Sequence, residues 1–525
     1  MKVVKSLGFY FVLFFLFLTP LVVSILPFVI QSLNTPPDRV FMGLHRWSED
    51  YYGYLHTINE GLMGHLMTVN KITNQEHVPT FVHSEYAFLG LIGKVFGLNA
   101  PLTYHLSRLV LGGVFLISSF YFLLTVFTLA RVKKPFCSTR VAFFLAFFVG
   151  SFPNSLDWLV ELDATRRSTI LPHYLMGSIL MLVIFTLFLK NKKIVSLNSL
   201  FLILASFLLA FVHPVDFALT VSILTFYSFL TKSWRTLVFL LPGLIPILYF
   251  RYVFTLPFYR FIAQHGSTTA YNIPILDFAF AIGPVLILAS YFFLLNFKKL
   301  TTNSQLLMFS LLIIQTFFFF AGYQILNFDR LRALHAPFFI PLSFFATLFL
   351  LKLEKKIKIL FLILNTKYLI LIIIFLITLP LSFQSIKKQI YEVSDFQSFS
   401  SFTYPSKKVY EAFMFLKNNT PENSLITTGY EARFLLPSVA GNKVAFGSNF
   451  EKDPEYQRDM DKVTKIYQGT LTGDDLEKFL KENNIKYVYW GYQEKSYGGD
   501  LTQEKFLSKI FDNGEVVIFK VYHVQ

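Results

Sequence analysis

Residues 101–130 read PLTYHLSRLVLGGVFLISSFYFLLTVFTLA, thirty residues with one charge, Arg108. A helix rises 1.5 Å per residue and needs roughly 20 apolar residues to cross the hydrocarbon core of a bilayer, so this stretch is long enough to span. Ten further apolar stretches recur on either side, at about 6–30, 141–156, 171–189, 198–212, 215–231, 236–252, 277–296, 306–325, 335–351 and 366–386. The pattern predicts a polytopic α-helical membrane protein with about 11 transmembrane helices. The first stretch follows Lys2 and Lys5 like a signal peptide, but its apolar run is longer than an h-region and lacks a small-x-small site, so it reads as an uncleaved anchor. His213-Pro214 breaks one apolar run into two, because proline removes a backbone donor. Residues 80–97 (TFVHSEYAFLGLIGKVFG) carry His83, Glu85 and Lys94 and read as an interfacial helix.

Beyond Ile386 no such run occurs, which sets two domains: a transmembrane part, 1–386, with a long first loop at 31–100, and a C-terminal α/β domain, 387–525. Of the 525 residues, 54% are hydrophobic, 64 are Phe and only 15% are charged. Soluble domains carry roughly 25% charge, so a soluble enzyme is excluded. The lone Cys137 excludes an internal disulfide framework and a Cys-rich metal site. A net charge of +15 would suit nucleic acid, but the charge is not spread evenly. The membrane part holds 29 basic and 13 acidic residues, and the last 139 residues hold 18 and 19. The N-terminus, RVKKPFCSTR, KNKK, TKSWR, FKKL and LKLEKKIK alternate with less basic loops and together hold 17 of those 29. By the positive-inside rule these six segments are cytoplasmic, nucleic acid is not a partner, and the C-terminal domain is extracytoplasmic.

Twelve of the 13 carboxylates fall in the opposite, outer loops. Acidic residues contribute little to orientation, so this asymmetry places chemistry or ion binding at the outer face, unless short basic loops simply leave acids nowhere else to go. The first outer loop is about 70 residues, long for a connector, and centres on HRWSEDYYGYLHTINEGLMGHL (45–66). Tyr54, Ile58, Leu62 and Leu66 at i, i+4 spacing predict a helix with one apolar face on the membrane. Ser48 would cap it, and Glu49 and Asp50 would fill its first turn, either as anions favoured by the dipole or as a general base. The second loop, LDWLVELDATRRST (156–169), sets Asp157, Glu161 and Asp163 beside Arg166 and Arg167. That set suits a phosphate, or a metal bridging to one, and suits an ordinary loop salt bridge equally. NFDRLRALHAP (327–337) brings Arg330, Arg332 and His335 to the mouth of the last spans, where a guanidinium fork fits a phosphate oxygen or a lipid headgroup. His45, His173 and His213 also lie near the outer boundary, as structural hydrogen-bonding groups or as proton, metal or phosphate contacts. Arg108, inside the opening of its span, is expected to pair with an acid such as Glu85.

Taken together, Glu49-Asp50-Tyr51-Tyr52 in a long first loop, ELD in the second, the HP break, DRLRALHAPFFIP and a C-terminal outer domain resemble the GT-C superfamily of integral membrane glycosyltransferases. The likeness is to bacterial or archaeal members similar to protein mannosyltransferases and aminoarabinose transferases, and the Trp-Trp-Asp-Tyr-Gly box of oligosaccharyltransferases is missing. The resemblance implies transfer, with inversion, of a sugar from a polyprenyl phosphate donor to a hydroxyl of a glycan, lipid or protein acceptor. It implies Asp50 as base with Glu49 as the alternative, and Arg330 and Arg332, then Arg166 and Arg167, on the donor phosphate. Asp157, Glu161 and Asp163 become candidates for acceptor contact or for a divalent cation such as Mg or Mn, which some members use; His45, Arg108, His213 and His335 are secondary candidates. Two other classes stay open: a transporter or flippase of a lipid-linked or anionic solute, and a non-catalytic membrane scaffold. No internal repeat supports the transporter.

In the C-terminal part, SKKVYEAFMFLKNN, DPEYQRDMDKVTKIYQG and TGDDLEKFLKENN read as helices, the last capped by Thr472. SLITTG, KVAFGS, KYVYWG and EVVIFKVYH read as strands, and the alternation predicts a largely parallel sheet. No phosphate-binding glycine motif or nucleophile elbow occurs, so an accessory or acceptor-binding role is expected.

Overall fold

The computed structural model describes residues 2–45, 47–156, 159, 162–191, 196–260, 273–296, 300–326, 329–334, 337–357, 366–394, 403–446 and 454–522. They divide into two compact units, Met1–Pro27 with Leu106–Gln389, and Phe28–His105 with Ile390–Gln525. The division differs from a cut at Ile386, because the first loop belongs with the C-terminal segment.

The first unit is built from apolar helices, among them Pro135–Phe147, Pro172–Lys190, Leu197–Val212, Pro214–Thr231, Leu244–Val253, Asn303–Phe317 and Phe339–Ile357. Lys2–Leu33, Ala100–Leu129 and Thr366–Ser394 run from it into the second unit. Pro135, Pro172, Pro214 and Pro284 each open a helix, where the missing N–H would have had no intrahelical partner. Among the described residues seven helical stretches are long and apolar enough to cross a membrane, or eight if the bent pair Ile275–Ile282 and Pro284–Leu295 is one span. The chain is an integral membrane protein. The stretch expected to span at 141–156 is helical only as Pro135–Phe147, 13 residues, which rises about 20 Å against a core of roughly 30 Å. Gly150 and Pro153 follow and do not sustain a helix.

The bent pair turns through 99° at Gly283. Its φ is +77°, and a Cβ there would lie 2.6 Å from the Gly150 carbonyl oxygen, so both the turn and the close approach require glycine. Phe127 on Phe344, Phe293 on Phe345 and Phe278 on Phe319 pack at 4.8, 4.6 and 4.5 Å between ring centroids, which uses the abundance of Phe for interlocking contact. Buried hydroxyls bond back to their own helices, Thr139 to Pro135 O, Ser206 to Leu202 O and Thr347 to Ser343 O. Satisfying these groups internally is what an apolar surround demands.

In the second unit, helices Ser48–Met63 and Ser84–Val95 cross so closely that a Cβ on Gly61 would lie 1.9 Å from Ala87 O, and one on Gly90 2.1 Å from Ile58 O. This crossing decides the buried face of the first helix: Tyr51, Tyr52, Leu55 and Ile58 are buried, while Leu66 lies beyond the helix and is exposed. The Tyr54/Ile58/Leu62/Leu66 stripe therefore holds only in part. The loop is stitched to the C-terminal segment by Val40 N to Pro405 O, Met42 N to Thr403 O, Lys407 N to Asp38 O and Val444 N to Lys71 O, at 2.9–3.0 Å.

A five-stranded sheet is ordered β2-β1-β3-β5-β4, with β1 Leu425–Thr427, β2 Lys443–Val444, β3 Tyr487–Trp490, β4 Leu507–Asp512 and β5 Val517–Val521. β1 pairs in parallel with β2 and β3, whereas β3/β5 and β4/β5 are antiparallel. The sheet is thus mixed rather than largely parallel. β4, which the sequence did not reveal, is joined to β5 by so short a turn that only an antiparallel hairpin can form. Val463, Ile466, Leu480, Val488 and Phe519 form part of the core beneath it. Thr472 stands at the expected cap of Gly473–Glu482 without a side-chain bond; Glu504 accepts the Gly473 N–H instead.

Candidate functional site

The acidic pair opens the loop helix. Trp47, not Ser48, is the cap residue, with φ +36° in the left-handed region and no side-chain capping bond. A non-glycine residue in that region is strained, and the surrounding structure must hold it. The turn places Glu49 and Asp50 in the first turn, at the positive end of the dipole. Glu49 is half-buried, and its Oε1 accepts from the Tyr430 hydroxyl at 2.6 Å. The Asp50 side chain is exposed. Behind them the Tyr51 hydroxyl donates to Met42 O at 2.9 Å, and His45 Nδ1 lies 3.3 Å from the Tyr104 hydroxyl. Glu85 pairs with His83 at 3.2 Å, and Arg108 donates from Nε to Thr169 O at 2.9 Å. Each member of the expected Arg108–Glu85 pair has found another partner.

Further along the loop, buried Glu60 meets Lys71 Nζ at 2.6 Å and His65 Nδ1 at 3.1 Å, and Lys71 reaches Glu422 at 3.3 Å. Burial pushes the Glu60 carboxyl up, but His56 and Lys71 nearby, with hydrogen bonds from Lys71 and His65, hold it below its ordinary range. Glu60, His65 and Glu422 offer ligand atoms within 4.8 Å of one another. The Lys71 ammonium already supplies the cation among them, so this donor set does not fit a divalent metal.

In the first unit, Asp163 Oδ1 accepts from the Thr165 amide and hydroxyl, both at 2.9 Å, while Oδ2 takes the Ser385 hydroxyl and pairs with Arg166 at 3.2 Å. Its acceptor sites are filled by protein donors. Arg167 is buried, donates to Ala146 O and Leu162 O at 2.7 and 2.6 Å, and lies 3.2 Å from the centroid of the Phe339 ring. That is the geometry of a loop clamp. His213 caps Pro214–Thr231 by accepting from Asp216 N at 3.2 Å, and its ring stacks on His173 at 5.7 Å. Arg330 is half-buried, donating to Phe319 O at 3.1 Å and lying over Phe319 and Tyr323. Arg332, in the same 3-10 turn Arg330–Ala333, is exposed. Asp157, Glu161 and His335 lie outside the described residues.

Sequence reading missed Tyr430, Lys71 and Glu422. Tyr430 and Glu422 meet partners more than 300 residues away, and Lys71 meets Glu60 at a spacing of eleven, which no helix or strand period signals.

The fold is similar to that of solved integral membrane glycosyltransferases of the GT-C type. The mycobacterial arabinofuranosyltransferase AftD superposes with a TM-score of 0.54 at 12% identity, over 96% of this chain and 40% of AftD. The Archaeoglobus fulgidus oligosaccharyltransferase AglB, in complex with an inhibitory peptide and a dolichol-phosphate, gives 0.52 at 11% identity over 90% and 68%. ArnT from Cupriavidus metallidurans, bound to undecaprenyl phosphate, gives 0.49 at 10% identity over 97% and 99%. No protein-family model matches the sequence, and no curated protein does.

Proposed function

We propose that this chain is a glycosyltransferase that moves a sugar from a polyprenyl-phosphate donor to an acceptor hydroxyl at the extracytoplasmic face, with inversion at the anomeric carbon. The observation that carries the reading is the shared fold with AftD and with AglB, the latter holding a dolichol-phosphate. The basic segments expected in the cytoplasm support the face.

Asp50 is the general base. It is exposed in the first turn of the loop helix, the position at which the resemblance places the base, and Glu49 beside it accepts from the Tyr430 hydroxyl. The acceptor oxygen forms a bond to C1 while the bond from C1 to the phosphate oxygen breaks, and the acceptor proton passes to Asp50. Negative charge then grows on the leaving polyprenyl phosphate, where a fixed cation stabilises it. Arg332 is the first candidate and Arg330 the second, since Arg167 spends its donors on loop carbonyls. Residues 387–525 act as an accessory domain.

The test is transfer or donor consumption by purified protein given a panel of polyprenyl phosphate sugars. Asp50→Asn should lose about 10²–10⁴-fold in turnover, while Glu49→Gln, which still accepts from Tyr430, should keep most of it. A wild type that consumes no donor, or an Asp50→Asn variant as active as wild type, would refute the reading.

A further inference from the structure

Within the second unit lies a cavity of about 290 Å³. Four carboxylates line it, Asp38, Glu431, Glu494 and Glu515, against one basic residue, Arg39. Arg39 is committed, pairing with Asp38 at 3.5 Å and donating to Tyr404 O at 3.2 Å. Glu494 is buried and accepts only backbone donors, Gly429 N at 2.6 Å and Gly491 N at 3.0 Å, while Glu515 accepts from the Ser406 hydroxyl at 2.6 Å. Among the described residues no lysine or arginine pairs with either.

Tyr489 is an independent pointer. It is 2% exposed, lines the cavity and stacks on Phe413 at 5.6 Å. Its hydroxyl has no hydrogen-bond partner among the described residues. Burial, then the charges of Glu494, Glu515 and Glu431, push that phenol well above its usual range, and all three carboxylates line the same cavity as Tyr489. Gly491 leaves room for it, since a Cβ there would stand 2.8 Å from the Tyr489 oxygen. The hydroxyl is therefore free to bond a ligand in the cavity.

We propose that this cavity is a binding site for a primary ammonium carried on a small frame, of about the size of one amino sugar or one lysine side chain. The ammonium donates to the carboxylates of Glu494, Glu515 and Glu431, the Tyr489 hydroxyl completes the polar contacts, and the Phe413–Tyr489 wall covers the apolar part of the ligand. A charged acceptor is about twice as strong a partner as a neutral one, so the site discriminates against uncharged isosteres. The inference is independent of the transfer reaction proposed above.

The experiment is calorimetric titration of the full chain in detergent with D-glucosamine, D-glucose and n-butylamine at matched ionic strength. D-glucosamine should bind at one site and D-glucose at least tenfold more weakly. Glu515→Gln, which still accepts from Ser406, should weaken D-glucosamine by about tenfold or more. Tyr489→Phe, which keeps the stacking, should weaken it by roughly two- to tenfold. If n-butylamine matches D-glucosamine, the site reads the ammonium alone, as on a lysine side chain; if it binds much more weakly, the sugar hydroxyls are read too. Both results uphold the ammonium site. Equal binding of D-glucose and D-glucosamine, no binding of either amine, or affinities unchanged in both variants overturns it.

Discussion

Lys71→Met should unfold the second unit at a markedly lower temperature. Lys71 is fully buried, its Nζ is 2.6 Å from Glu60 Oε1, and Glu60 itself is only 4% exposed. Removing the ammonium leaves the Glu60 carboxylate with histidines alone, His65 at 3.1 Å and half exposed, and buried His56, whose imidazole burial pushes toward the neutral form. Breaking a buried pair from one side costs about 3–5 kcal/mol, because the remaining charge is neither paired nor solvated. For a unit of this size 1 kcal/mol moves Tm by roughly 2–4 °C, so the expected drop is on the order of 6–20 °C. The double variant Lys71→Met/Glu60→Gln removes the stranded charge and should recover at least half of the loss. The pH dependence carries a sign. In the wild type the Glu60 carboxyl is held low, so its stabilisation is present above the ordinary value of 4.5 and fades as pH falls through the folded value. In Lys71→Met the ammonium no longer helps to hold that carboxyl low, so the stability gained as pH rises above 4.5 should be smaller than in the wild type. Intrinsic-fluorescence melting of the detergent-solubilised variants measures all of this. A single variant melting within about 2 °C of wild type, or a double variant no better than the single, refutes the reasoning.

Two further outcomes follow from single groups. Burial, with the Glu431 charge, pushes Glu494 up to about 7 from 4.5 against the pull of the Gly429 and Gly491 amides, so as pH rises from 4.5 to 7 the unfolded chain ionises first and stability falls, by about 3 kcal/mol at most. Glu494→Gln should flatten that decline in melting scans across this range; an unchanged slope would assign the decline to other groups. Gly90→Ala puts a Cβ 2.1 Å from Ile58 O, and forcing the two loop helices apart should cost at least about 1–3 kcal/mol, read as lower Tm and faster proteolysis between residues 64 and 83. An Ala variant as resistant as wild type would mean that the helices slide apart without cost.

The membrane character, the break at His213-Pro214 and the helical loop were legible in the sequence because each rests on a local signal: run length, a missing donor, an i, i+4 stripe. The short helix Pro135–Phe147 was overread because apolar composition continues past the point where Gly150 and Pro153 stop the helix. The acidic pair was picked out by its placement, but the partner of Glu49 was not. Glu49 is engaged by Tyr430, a residue 381 positions later in the chain.

The sequence by itself determined that this chain lives in a bilayer, that its acids avoid the basic loops, and that a candidate base sits at the head of a loop helix. Hydrophobicity, charge bias and capping position are properties of neighbouring residues, so they can be read without a fold. The tertiary structure decided which charges are spoken for. Arg167 is turned onto carbonyls, Asp163 is filled by Thr165, Ser385 and Arg166, and Lys71 neutralises Glu60. The same structure leaves the carboxylates around Tyr489 facing a cavity. Whether a charged side chain is a structural tie or a group available to a substrate depends on what lies within about 3 Å of it, and that is set by how the chain packs, through near neighbours such as Thr165 on Asp163 as well as distant ones such as Ser385.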